Sequence, residues 1–157
     1  MTERYARSAP VTAVQETVGE SQTEAAGESL GRSLRAGSVV LLYGDLGAGK
    51  TAFVRGMARG VGADADEVSS PTFTLIQEYA GRGCILHHVD LYRLEPAEID
   101  DLGLDDLIAA RGVVAIEWAE RWNGRPTDAV EVWLEHLGED RRRITTILPT
   151  IQQLPVT

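Results

Sequence analysis

This sequence of 157 residues predicts an α/β layer fold: a mixed sheet flanked by helices, with antiparallel additions. Three observations carry that reading. First, Val39-Val40-Leu41-Leu42-Tyr43 and Val113-Val114-Ala115-Ile116 are short, nearly continuous apolar runs. Such runs read as strands buried on both faces, as in a parallel sheet. Second, Phe53, Met57 and Val61 recur at helical spacing between them, with Val54 on the same stripe. Third, two pairs of strand-like segments are joined by glycine-bearing turns. Thr74–Tyr79 and Cys84–Val89 flank Ala80-Gly81-Arg82-Gly83, and Ala129–Leu137 and Arg142–Leu148 meet near Gly138.

The remaining elements follow in order. Val11 to Val14 is an opening strand. Ser21-Gln22-Thr23-Glu24 fits a capping box, so a helix starts there, runs through Leu30 and Leu34 and ends near Gly37. After the first buried strand and its helix, Gly62 is a stop signal. Val68-Ser69-Ser70-Pro71-Thr72-Phe73 is a break with hydroxyls around a proline. Pro96 opens a short helix with Leu102, Leu104, Leu107 and Ile108 on its apolar face. The length suits one domain, residues 1–157, with loose termini at 1–10 and 150–157.

Lys50 is the chain's only lysine, and every other basic side chain except histidine is arginine. It sits in Gly44-Asp45-Leu46-Gly47-Ala48-Gly49-Lys50-Thr51, which fits the phosphate-binding pattern G-x-x-x-x-G-K-[ST] between a strand and a helix. Glycines let backbone N–H groups curl toward phosphate, and the helix N-terminus adds a positive dipole end. A lysine ammonium is a compact point charge that fits between phosphate oxygens, where a planar guanidinium would not. The Thr51 hydroxyl is a candidate Mg²⁺ ligand. The motif and its context predict a P-loop NTPase-like fold and a nucleoside triphosphate ligand.

Such a loop needs a carboxylate at the end of a neighbouring strand. Glu117 closes Val113–Ile116, and Asp90 closes Cys84–Val89. The reading prefers Glu117 for the metal, and Asp90 for the metal or the attacking water. Ser69 to Thr72 reads either as a segment that senses the γ-phosphate or as an ordinary turn. His87 and His88 alternate faces of a strand, so at most one points at the site, and no spacing suggests zinc. Trp118 reads as a pocket wall or as a core residue.

Composition excludes several classes. A net charge of −9 argues against unaided nucleic-acid binding. Arg141-Arg142-Arg143 is the one basic cluster, and it reads as a solvated turn. Cys84 stands alone, which rules out an internal disulfide and fits a reducing compartment. Without a leader-like apolar stretch or a long hydrophobic run, the expectation is a soluble cytoplasmic protein with no membrane contact.

Taken together, the glycine loop, Ser70-Pro71-Thr72-Phe73, His88-Val89-Asp90-Leu91-Tyr92-Arg93 and Glu117-Trp118 resemble, in that order, the TsaE (YjeE) ATPases of bacterial tRNA threonylcarbamoyladenosine biosynthesis. The likeness runs from about Ser21 to Leu148. It implies slow hydrolysis of Mg²⁺-ATP by the isolated protein. It also implies action with TsaD and TsaB, which modify adenosine 37 of tRNA, with hydrolysis resetting that machinery. Asp90 and Glu117 match the family's two acidic positions, and Ser70–Phe73 its switch-like stretch. The family's nucleotide position makes Ser21–Glu24 and Arg142 candidate adenine-side contacts. Three rivals remain: a GTPase, which lacks a lysine for an [NT]-K-x-D loop; a small-molecule kinase, with Arg141–Arg143 as its lid; and a nucleotide-sensing interaction module.

Overall fold

The computed structural model describes residues 10–68 and 75–149. Its seven strands form one sheet in the order β1-β7-β6-β2-β5-β4-β3. The strands are β1 (Val11–Val18), β2 (Val39–Tyr43), β3 (Ile76–Ala80), β4 (Ile85–Asp90), β5 (Val113–Glu117), β6 (Val130–Gly138) and β7 (Arg141–Leu148). The central strands β6, β2, β5 and β4 run parallel, and β1, β7 and β3 are antiparallel additions at the two sides. The mixed sheet expected from the sequence is therefore present.

Every residue of β2 and β5 is buried, because both faces of these strands are covered. On one face Val40, Leu42 and Ala115 meet Phe53, Val54 and Met57. These three belong to α2 (Lys50–Gly60), which α1 (Gly19–Ser33) packs against. On the other face Leu41, Val114 and Ile116 meet Ile99 and Leu104. Those come from two short helices, α3 (Pro96–Asp100) and α4 (Leu104–Ala109).

Several local expectations are corrected. The first strand is longer than Val11–Val14 and reaches Val18. Helix α1 begins at Gly19 rather than at a Ser21 cap, because the Gln22 side-chain oxygen already accepts the Val18 N–H at 2.8 Å. It ends at Ser33, where Leu34 turns extended. The helix expected after Pro96 is two helices, broken where Gly103 takes a left-handed φ of 74°. Arg141–Arg143 is not a turn but the start of β7, opposite Val18, Thr17 and Glu16. The turn lies just before it, at Glu139–Asp140. Ser69–Phe73 lies outside the described residues, as do the termini except Pro10.

Helices α1 and α2 touch through glycines. A Cβ on Gly56 would lie 1.9 Å from the Glu24 carbonyl oxygen, and one on Gly27 would lie 2.0 Å from that of Phe53. Backbone cannot yield to that degree, so Gly56→Ala should destabilise the fold by about 2 kcal/mol or more. In thermal unfolding this is a drop of roughly 4–8 °C. An unchanged midpoint would mean that the helices separate freely.

Candidate active site

The glycine loop leaves the end of β2 and delivers the chain into α2. Three of its residues have positive φ: Gly44 at 151°, Gly47 at 80° and Gly49 at 101°. At Gly44 there is a second reason for glycine, since a Cβ would lie 2.6 Å from the Leu134 carbonyl oxygen. Gly49 precedes Lys50 directly, so the first N–H groups of α2 open at the loop. Asp45 and Leu46 stand exposed at the loop's tip, and Ala48 is buried beneath it.

Lys50 is only 5% exposed. Its ammonium donates to the carbonyl oxygens of Gly44 and Asp45, the latter at 2.9 Å. It also lies 4.2 Å from the centre of the Trp118 ring. Burial pushes the Lys50 ammonium below the usual lysine range, against the opposing pull of Glu117, Glu120, Asp90 and Asp45. An anionic ligand at the loop would offset the solvation that burial has removed.

The two acids are neighbours because of the sheet's register. β4 and β5 pair in parallel, with Asp90 opposite Glu117 at their C-terminal ends. Leu42 of β2 lies opposite Glu117 on its other side, which brings both acids beside the loop. Glu117 is 3% exposed. The Thr51 hydroxyl donates to its carboxylate, 3.2 Å from Oε2 and 3.3 Å from Oε1. His88 Nε2 lies 2.5 Å from the same Oε2. Asp90 Oδ1 accepts the Tyr92 N–H at 2.9 Å. Burial raises the Asp90 carboxyl above the ordinary aspartate range; the Tyr92 N–H opposes this and the Glu117 charge adds to it.

A cavity of about 650 Å³ joins these groups, lined among others by Lys50, Thr51, Asp90, Glu117, Trp118 and Arg142. Trp118 is half-buried, tilted against Tyr92 at 4.8 Å, and adopts a left-handed φ of 58°. A bulky residue there costs about 1–3 kcal/mol, which the surrounding contacts must offset. Arg142 donates to the Gly47 carbonyl at 3.3 Å, tying β7 to the loop. Ser21 does not line the cavity; Glu20 and Thr23, on either side of it, do. Thr23 is buried and bonded to Thr17 at 3.0 Å. Tyr92, Arg93 and Asp140 also line it and were not singled out individually from the sequence, although Tyr92 and Arg93 stand in the segment that carries the family likeness.

The donor set fits Mg²⁺. A threonine hydroxyl and a carboxylate lie side by side at the loop, and Mg²⁺ favours one or two such oxygens together with phosphates and water. Among the described residues no group of three or more His, Cys, Asp or Glu is placed to hold a metal. A site that borrows oxygens from its substrate needs none.

The sequence profile described as "Threonylcarbamoyl adenosine biosynthesis protein TsaE" matches residues 17–144. A Nostoc protein described as tRNA threonylcarbamoyladenosine biosynthesis protein TsaE is 45% identical over 134 residues, covering 82% of each chain. Its Bacillus subtilis counterpart is 40% identical over 130 residues, covering 82% of this chain and 81% of its own. The crystal structure of Bacillus subtilis YdiB superposes with a TM-score of 0.71 at 31% identity, over 90% of this chain and 88% of the other.

Proposed function

The chain belongs to the TsaE family and shares its role in tRNA threonylcarbamoyladenosine biosynthesis, and from that premise we propose that it is an ATP hydrolase, slow alone, that works with the TsaD–TsaB complex. The observation that supports this best is the meeting of Lys50, Thr51 and Glu117 under one glycine loop, with Asp90 at the adjacent strand end. Loop N–H groups and Lys50 bind the triphosphate. Thr51 and Glu117 would hold Mg²⁺, which would neutralise phosphate charge. Asp90 orients the attacking water or supports the metal, and its burial-raised carboxyl suits proton acceptance. Water attacks the γ-phosphorus and yields a proton toward Asp90, the bond from the γ-phosphorus to the bridging oxygen breaks, ADP leaves with that oxygen, and inorganic phosphate is released.

Trp118 and Arg142 flank the nucleotide, with Arg142 at the loop's outer side. Ser21 takes part only through its neighbours Glu20 and Thr23. Among the described residues no helix is long and apolar enough to cross a membrane. We place the protein in the cytoplasm. Its net charge of −9 repels RNA, so tRNA is reached through the partner complex rather than by this chain alone.

Titration of a fluorescent ATP analogue, with and without Mg²⁺, tests the metal assignment. Thr51→Ala and Glu117→Gln should each lose roughly tenfold or more of the gain in affinity that Mg²⁺ gives, while metal-free affinity holds. Glu117→Gln titrating like wild type would transfer the metal to Asp90.

A further inference from the structure

We infer that His88 is a positioning residue, which holds the Glu117 carboxylate in its metal-bearing orientation; this rests on the Mg²⁺-ATP reading above. In the β4–β5 register His88 lies opposite Ala115, and Asp90 opposite Glu117. His88 and Glu117 are thus diagonal neighbours on one sheet face. Ala115 has only a methyl group, so the imidazole can lean across it toward the strand end.

His88 is fully buried, and its Nδ1 has no hydrogen-bond partner among the described residues. Burying an imidazole with one nitrogen unmatched is a poor solution to packing alone. An apolar side chain of similar size would fill the slot without that cost. What an apolar side chain cannot supply is the contact of Nε2 with Glu117 Oε2 at 2.5 Å. Glu117 accepts, which assigns the His88 proton to Nε2 and leaves Nδ1 as a lone pair.

The Glu117 carboxylate is therefore held by two donors, the His88 imidazole on Oε2 and the Thr51 hydroxyl shared between both oxygens. It cannot rotate about its terminal bond without losing a donor. Ligating carboxylates are commonly fixed by such outer hydrogen bonds, whose loss weakens metal affinity by about 10–100-fold. His87, on the opposite face of β4, also leaves Nδ1 without a hydrogen bond among the described residues, but it reaches no acid of the loop; its ion-pair neighbour is Glu78, at 3.5 Å.

The experiment measures ATP affinity of the full chain in Mg²⁺ and in EDTA, and takes the ratio. His88→Met removes the donor and keeps the volume; its ratio should fall about 10–100-fold while EDTA affinity holds, and any drop in thermal midpoint from leaving the buried Glu117 short of a donor is read apart from that ratio. His88→Gln places an amide N–H near the Nε2 position and should recover most of the loss. His88→Asn presents its amide at the Nδ1 position, leaves Glu117 without the donor, and should match Met; it stands in if Met does not fold. A wild-type ratio in Met or Asn overturns the proposal. So does a Gln variant as impaired as Met, or EDTA affinity falling in parallel, which would mark a merely structural histidine. If Glu117→Gln lowers the ratio and His88→Met does not, only this inference fails. If wild type shows no Mg²⁺ gain at all, the metal reading fails with it.

Discussion

Asp90→Asn should bind ATP with near-normal affinity and hydrolyse it roughly a hundredfold or more slowly, the usual scale for losing acid–base or positioning help. The expectation comes from placement. Asp90 ends β4 in register with Glu117, and both line the cavity beside the P-loop. Its carboxyl is held by the Tyr92 N–H and is raised by burial, so it is oriented and better suited to take a proton. The amide keeps size and shape but cannot accept a proton and serves water poorly. Neither the glycine loop nor Lys50 depends on Asp90 for a hydrogen bond, so the phosphate cradle should survive. In a reconstituted reaction with TsaD–TsaB, the variant should bind the complex, support about one round of modification, and stall. Multiple rounds would mean that bound ATP suffices and that the nucleotide-sensing reading is the better one.

Lys50→Ala should lose tight ATP binding while keeping the fold. The lost contact is charge-assisted, worth about 1.5–3 kcal/mol, or roughly one to two decades in affinity. Lys50→Arg should fail too. The ammonium is hemmed by the Gly44 and Asp45 carbonyls and by the Trp118 ring at 4.2 Å, a space too small for a planar fork. Titration with a fluorescent ATP analogue, alongside thermal unfolding, separates lost binding from lost structure. Near-wild-type affinity in either variant would remove the P-loop from the account.

Much of this site was legible because its signals are short-range. The strand β2, the glycine loop, helix α2 and the acid that closes β5 each show in a window of a few residues. Glu117 and Asp90 stood out because each ends an apolar run. Their adjacency did not, because it depends on β4 pairing with β5 in one particular register. The Ser21 cap misled because Gln22, one residue later, serves the Val18 N–H and starts the helix earlier. Arg141–Arg143 looked like a turn because its charges sit at the start of a strand next to the β6–β7 turn, and the partner that flanks it on the other side, β1, lies far off in sequence. There Arg141 and Arg143 pair with Glu16, and Arg143 also with Glu135, which lets a basic triplet lie in a sheet. The Gly27–Gly31 and Gly56–Gly60 spacings carried no reading in the sequence; only the packed helices show that each pair faces the other helix's backbone. The sequence showed that at most one of His87 and His88 points at the site, but not which; the carboxylate partner of His88 is 29 residues away.

ATP turnover by this chain, alone and with a purified TsaD–TsaB complex, tests the central claim most directly. Slow release of phosphate by the chain alone, faster release with the complex, and loss of both in Lys50→Ala are the predicted results. ATP held at the loop with no Lys50-dependent turnover in either condition would contradict the claim and make binding, not hydrolysis, the output of this site.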